Sequence, residues 1–396
     1  MHRVASKLLV VVFIIAAAYC LDLKLDLFPA AAESEEAVAV DEPNKLERLE
    51  QEIAQQFQAR SEHFSVTYTG DKQELTDKLK DIIHAALRHD DYSAYILESY
   101  IYTIRSWGNK STIALEARYR ETLKQTAVVD LETAKALKSI IEPGMNEHEK
   151  VKVIHDWIVN QIEYDQSLSH YTAYEAVTLG EAVCQGYALL GYKMLKEAGI
   201  TVLIAEGTVN TGEHAWNMVQ LDGIWYHLDL TWDDPVGITA AGKDSSAKAN
   251  AAKPGESAIR YNYYLKTDEE LRADHQWTKA YPAAAASYAD TIRELEQLGK
   301  AAERDRFTKL KMTLGLHWLE PEYTVSSSEQ LNQVIQSALD SRTASLAFRY
   351  EQGDQFPAAL KAAFQSVNVA VGYRASYEPY AGDDSLLVHI QLEYRR

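Results

Sequence analysis

The sequence predicts an α+β chain in which a helix opening at a cysteine packs on an antiparallel sheet, flanked by two small α/β modules. Three observations predict it. A helix-like run follows Cys184, a two-residue hairpin signal sits at Asp222-Gly223, and short alternating strands with one helical run among them recur toward both ends.

The helix runs from Tyr187 to Ala198, apolar at Leu190, Met194, Leu195 and Ala198, and Gly199 stops it. Cys184 lies just ahead, at the positive end of the helix dipole, a placement that favours a reactive thiolate. Gly186 is expected to keep the backbone small beside the thiol, where a substrate carbonyl approaches.

The hairpin follows from Asp222-Gly223, whose residue types suit a tight turn between strands. Closing it pairs Leu221 with Ile224, hence Trp216 with Asp229 and His214 with Thr231. His214 and Asp229 then project from one face as diagonal neighbours, roughly 7–8 Å apart at the backbone. The opposite face carries Val219, Leu221, Ile224, Tyr226, Leu228 and Leu230, a set suited to the core. A slip of one residue would undo both arrangements together.

A thiol, an imidazole and a carboxylate are the parts of a nucleophilic site. The thiolate attacks, the imidazole moves the proton, and the carboxylate fixes the imidazole's tautomer. Cys184, His214 and Asp229 are therefore the candidate catalytic residues.

Lys45 to Arg60 reads as a polar helix, Phe64 to Tyr68 as a strand, and Leu75 to Leu87 as a helix. Ile101 to Arg105 and Thr112 to Tyr119 alternate as strands around Gly108-Asn109. The C-terminus repeats that plan: Leu346 to Tyr350 as a strand, a turn at Gly353-Asp354, and Phe356 to Phe364 as a helix. Val369 to Tyr373 and Leu386 to Tyr394 then close around Gly382-Asp383. Two related β-α-β-β modules are expected, over 61–125 and 320–396. Neither gathers chemical groups, and both read as scaffolding or recognition units. Thr239 to Ser257, rich in Ala, Lys, Gly and Ser, reads as a surface loop.

The 396 residues, 46% hydrophobic and 25% charged, suit a globular chain of two or three domains. A formal charge of −18 argues against a nucleic-acid partner and against a polybasic membrane mode. His2, Arg3 and Lys7 precede an apolar run from Leu8 to Leu21, shorter than the roughly 20 residues that span a bilayer. Residues 1–32 read as an export signal, with Ala16-Ala17-Ala18 or Ala30-Ala31-Ala32 as cleavage sites. An uncleaved anchor over 8–21 ranks second. Lipidation of Cys20 ranks last, because Tyr19 before it is bulky. Residues 33–60 read as an acidic linker with a helical lead-in. The expected location is extracellular or at the cell surface, with membrane contact through the N-terminal segment alone. With two cysteines in the chain and Cys20 in that segment, its removal leaves Cys184 unpaired, a reactive thiol.

Several separated motifs resemble the transglutaminase-like superfamily, which has a papain-like core, and within it the bacterial branch related to kyphoscoliosis peptidase. They are Ile154-His155-Asp156-Trp157, Tyr164-Asp165, Cys184-Gln185-Gly186-Tyr187-Ala188, His214-Ala215-Trp216-Asn217 and Asp229-Leu230-Thr231-Trp232-Asp233. Tyr263-Tyr264-Leu265 with Asp268, and His275-Gln276-Trp277, resemble the tail of the same domain. The likeness covers residues 140–282 and leaves out the flanking modules. It implies Cys184 as nucleophile, His214 as base and Asp229 as its partner. The Cys184 N–H is expected to hold the oxyanion, with Trp216, Tyr164 and Gln185 as candidates for the second donor. The expected chemistry is acyl transfer or hydrolysis at amide or peptide bonds, with a protein or peptide as substrate. The alternative is a non-catalytic exported binding protein using the same cleft and the flanking modules.

His155, His170, His227 and His275 show no metal-ligand spacing with a second cysteine or an acidic partner, and read as capping, surface or core residues. Asp233-Asp234-Pro235 reads as a turn. With no phosphate-binding glycine loop and no dinucleotide fingerprint, neither cofactor nor metal is expected.

Overall fold

Polar side chains that accept hydrogen bonds from free backbone N–H groups start most of the helices. In the computed structural model, which describes residues 44–234, 259–367, 370–380 and 383–394, Asn44 forms a capping box with Glu47 at helix α1 (Lys45–Gln58). The expected export signal, the linker up to Pro43 and the loop Thr239 to Ser257 lie outside the described residues. Strand β1 (His63–Thr69), helix α2 (Lys72–Leu87), helix α3 (Asp91–Ile96), and strands β2 (Leu97–Trp107) and β3 (Lys110–Tyr119) complete the N-terminal module. Its antiparallel sheet has the order β1-β3-β2. Phe57, Val66, Leu75, Leu79, Ile83, Ile113 and Leu115 fill its core.

The central part begins with α4 (Leu123–Ile140), α5 (Glu147–Gln161), β4 (Glu163–Tyr164), α6 (Ala173–Leu179) and β5 (Glu181–Ala182). Helix α7 (Cys184–Glu197) then packs on the antiparallel strands β6 (Thr201–Val209), β7 (Gly212–Leu221) and β8 (Ile224–Leu228). Ala188, Leu190 and Leu195 of α7 share one core with Val219, Leu221, Tyr226 and Leu228 of the sheet. Asn217 is buried between them and donates to the Ala188 carbonyl at 3.0 Å. This core also takes Tyr92 and Ile96 from α3, and Val129 and Leu137 from α4.

The hairpin forms as the turn chemistry requires. Asp222 and Gly223 both have positive φ, 49° and 82°, and Leu221 pairs with Ile224. Its far end corrects the expectation. The ladder stops at Asn217 with Leu228, so Trp216 does not pair with Asp229, nor His214 with Thr231. Asp229 ends the strand itself, because its Oδ1 accepts from the Thr231 and Trp232 amides at 3.0 and 3.2 Å. Its own N–H donates to the Tyr263 carbonyl at 3.1 Å.

The sheet is buried on both faces, where alternation suggested one core face. The second face packs Ala205, Trp216 and Met218 against Leu271 and Ala284. The chain from 259 to 284 is stitched there by backbone bonds between His227 and Lys266 and between Thr208 and Gln276, and it includes helix α8 (Asp268–Leu271). Helices α9 (Tyr288–Leu298) and α10 (Ala301–Thr313) follow and add Tyr288, Ile292, Phe307 and Leu310 to the main core.

The C-terminal module has a similar plan, with one strand more in its sheet. It comprises β9 (Thr324–Val325), α11 (Ser328–Asp340), β10 (Ser345–Tyr350), α12 (Phe356–Ser366), β11 (Val371–Pro379) and β12 (Leu386–Tyr394), with strand order β11-β12-β10-β9. In both modules a helix leads into a strand, and the last strand lies between the two before it. Arg60 and Arg342, just past the leading helices, both have positive φ, 55° and 52°. The Tyr119 hydroxyl donates to the Ser61 carbonyl at 3.3 Å, and the Tyr394 hydroxyl to that of Thr343 at 3.0 Å. Strand β11 runs to Pro379, past the expected end at Tyr373, because it pairs with β12 from Val371–Tyr394 to Pro379–Leu386. Val369 and Gly382 lie outside the described residues. Among the described residues no helix is long and apolar enough to cross a membrane.

Candidate active site

Cys184 is the first residue of α7, and Val183 before it supplies no side-chain cap. No side chain therefore caps the Cys184 and Gln185 amides, while the Gly186 N–H donates to the Val183 carbonyl at 2.8 Å. The starts of α1, α2, α4, α5 and α6 are instead closed by Asn44, Asp71, Thr122, Asn146 and Thr172. Cys184 itself is a free, half-buried cysteine.

Gly186 has a different role from the one expected. A Cβ there would lie 2.6 Å from the Ala182 Cβ and 3.1 Å from the Thr172 carbonyl. The glycine lets the first turn of α7 press against β5 and the cap of α6, so it serves packing rather than access to the thiol. Gly186→Ala is expected to cost about 1–3 kcal/mol and to slow alkylation of Cys184 by displacing that turn. Unchanged melting and alkylation would refute this account of Gly186.

His214 projects from β7, and its Nε2 lies 2.7 Å from Asp229 Oδ2, both side chains buried. Cys184 acts on the same ring, and with Nε2 taken by Asp229 the nitrogen open to a thiol is Nδ1. Burial opposes charging His214. The charge and hydrogen bond of Asp229, with those of Cys184, outweigh it and raise the imidazole to about 10. Asp229 is fully buried, which would raise its pKa, yet His214 and His275 hold it well below the usual carboxylate range. The site thus holds an imidazolium–carboxylate pair at neutral pH.

These shifts fix a dependence of stability on pH. His214 is raised, so its contribution is complete below the ordinary imidazole value and fades as pH rises toward about 10. Asp229 is depressed, so its contribution is present above the ordinary carboxylate value and is lost as pH falls through the lower folded one. The melting-temperature difference between wild type and His214→Gln is expected to be largest near pH 6, from the ordinary imidazole value of about 6.5. It should shrink as pH rises toward about 10. A difference constant across that window would contradict the pairing.

Aromatic rings hold the imidazole. Trp216 stacks on His214 with centroids 5.9 Å apart, Trp232 lies tilted at 5.9 Å, and His275 meets it edge-on at 5.3 Å. Of the three candidates for a second oxyanion donor, two are engaged elsewhere. Trp216 Nε1 donates to His227 Nδ1 at 2.9 Å, and the Gln185 amide donates to the Tyr95 carbonyl. Tyr164 stands on β4, paired with Ala182 just ahead of Cys184. Burial and the charge of Cys184 push its hydroxyl up to about 12, so it stays protonated and able to donate.

Three of the four histidines read as capping, surface or core residues are buried, and all four have acidic partners that no sequence spacing announced. His155, fully buried, lies between Asp233 and Asp156, each at 3.1 Å. His227 Nε2 reaches Asp268 at 2.8 Å, and His170 Nδ1 lies 3.3 Å from Asp165 and 3.7 Å from Glu181. His275, absent from the expected site, has Asp229 at 3.0 Å and Asp274 at 2.6 Å. The separations run from 1 to 78 positions and follow no common spacing. Asp233 and Asp234 are also more than a turn, since both are buried and Asp234 accepts from the Tyr187 hydroxyl at 2.7 Å. Pro235 lies outside the described residues.

Two groups of side chains bring ligand-type atoms within 4.8 Å of one another: His214, Asp229 and His275, and Asp165, His170 and Glu181. In the first, hydrogen bonds at 2.7 and 3.0 Å already pair the imidazole nitrogens with the shared carboxylate oxygen. In the second, Asp165 is satisfied by the Ser167, Ser169 and His170 amides. Hydrogen bonding accounts for the first cluster and for Asp165 in the second, and no metal is assigned to either.

On this α+β core a thiol at a helix start lies near a buried histidine–aspartate pair. Residues 134–230, which include Cys184, His214 and Asp229, match the model of the transglutaminase-like superfamily, and this chain carries a domain of that superfamily. Kyphoscoliosis peptidase from Mus musculus and from Homo sapiens are each 26% identical to it over an alignment of 125 residues that covers 27% of this chain. The chain spans 19% of the length of each of these curated relatives. The crystal structure of a TGase aligns with 63% of this chain and 68% of its own, at 12% identity and a TM-score of 0.28.

Proposed function

We propose that this chain is a thiol enzyme that transfers or hydrolyses acyl groups at amide or peptide bonds through Cys184, His214 and Asp229. The observation that carries the reading is the buried His214–Asp229 contact of 2.7 Å, with Cys184 acting on the same ring. The Cys184 thiolate attacks the carbonyl carbon, and the developing oxyanion is held by the Cys184 amide and the Tyr164 hydroxyl. The His214 imidazolium then gives its Nδ1 proton to the leaving amine as the carbon–nitrogen bond breaks, which leaves a thioester on Sγ. Attack by water returns the acid and the free thiol; attack by an amine gives a new amide. A protein or peptide substrate agrees with the superfamily match, and a peptidase outcome agrees with the name of the curated relatives. The apolar run Leu8 to Leu21 supports an exported location, which cell fractionation would test.

The test is to incubate the protein with glutamine-containing peptides, quench in acid, and examine the Cys184 peptide by mass spectrometry. An acyl adduct on Cys184 that hydroxylamine removes is the expected result. Adducts absent across a broad peptide set, with Cys184→Ala unchanged in biological effect, would favour the non-catalytic binding protein instead.

A further inference from the structure

We infer that His275 is a positioning residue of this site, donating through Nε2 to Asp229 and thereby fixing the carboxylate that supports His214. The inference rests on the thiol-enzyme reading above and adds a fourth member to it. His275 is fully buried, and its backbone is pinned to the sheet edge: its N–H donates to Leu271, and the next residue, Gln276, exchanges two bonds with Thr208 of β6. Its Nε2 lies 3.0 Å from Asp229 Oδ2, the same oxygen that His214 Nε2 reaches at 2.7 Å. Its Nδ1 lies 2.6 Å from Asp274 Oδ1, while the Tyr263 hydroxyl donates to Asp274 Oδ2 at 2.5 Å. Trp232, Trp216 and Tyr263 enclose the ring with centroids at 4.6, 5.3 and 5.7 Å.

The result is one line of hydrogen bonds from Tyr263 through Asp274, His275 and Asp229 to His214. Asp229 has no exposed surface, so its charge depends entirely on donors. The Thr231 and Trp232 amides serve Oδ1, and the two imidazoles serve Oδ2. Removing His275 leaves Oδ2 with His214 alone and frees the carboxylate to turn about its terminal bond. The titratable groups facing His275 are Asp229, Asp274, His214, His227 and Tyr263. Burial disfavours the charged ring, but the hydrogen bonds to Asp229 and Asp274 outweigh burial and raise its pKa.

The test compares His275→Phe with His275→Gln by the pH profile of Cys184 alkylation. Both substitutions remove the ring's ability to carry charge, so the difference between them isolates the N–H donor. His275→Phe is expected to react at least about tenfold more slowly than His275→Gln at pH 6, the worth of a hydrogen bond to a charged group. The two rates should converge above about pH 9, where an ordinary thiol is ionised. Equal rates at pH 6 would overturn the assignment. Should His275→Phe fail to fold, Asp274→Ala decides, since it releases the outer nitrogen: a slower rate at pH 6 is expected, and an unchanged one overturns the proposal. If wild-type protein shows no enhanced alkylation at pH 6, the thiol reading fails and this inference with it. A normal wild-type profile with indistinguishable His275 variants condemns the inference alone.

Discussion

Cys184→Ala should abolish turnover, with a fall of at least about 10⁴-fold and folding intact. Losses of that order or larger follow when the nucleophile of a triad is removed. The change deletes only a sulfur at the start of α7, where the side chain is half-buried and caps nothing. The melting temperature should therefore stay close to that of wild type, and assay and melting curve together check both halves. Residual turnover within tenfold of wild type would place the chemistry on another residue.

Asp229→Asn should lower turnover substantially, by as much as about 10⁴-fold if the imidazole is left in the wrong tautomer. A smaller loss than for Cys184→Ala is expected, because a thiol nucleophile relies less on the carboxylate than a hydroxyl does. The surroundings add a cost in stability. Asp229 accepts from two amides and two imidazoles, so an amide NH2 in place of either oxygen faces a donor. A buried charged hydrogen-bond network broken on one side is expensive, and the variant should melt well below wild type. Turnover is to be measured on the folded fraction. Normal turnover there, beside a collapsed melting temperature, would make Asp229 purely structural.

Much of this was legible in the sequence because the relevant signals are local. Asp222-Gly223 fixed the hairpin register, and that register carried His214 and Asp229 toward each other. The run after Cys184 marked α7, and the alternations near residues 64, 112, 346 and 386 marked sheet strands. What stayed hidden depends on contacts between distant segments. His275 and Tyr263 reach Asp229 only because the 259–284 segment folds across the second face of the sheet. A strand buried on both faces loses the alternation that would announce it. Gly186 was misread for a similar reason, since its neighbours Ala182 and Thr172 meet it only after α6 and α7 pack. The end of β8 at Leu228 was set by the Asp229 side chain turning on its own following amides, which strand periodicity does not encode.

The central claim is that His214 activates Cys184, and the most direct measurement is the rate of Cys184 alkylation by iodoacetamide. It is compared at pH 6 for native wild type, native His214→Ala and urea-unfolded wild type. The account predicts that the native wild type reacts at least about tenfold faster than both others, since a thiolate paired with an imidazolium reacts where a free thiol is largely protonated. Equal rates in all three would mean that Cys184 is an ordinary accessible thiol and that the His214–Asp229 pair serves the fold alone.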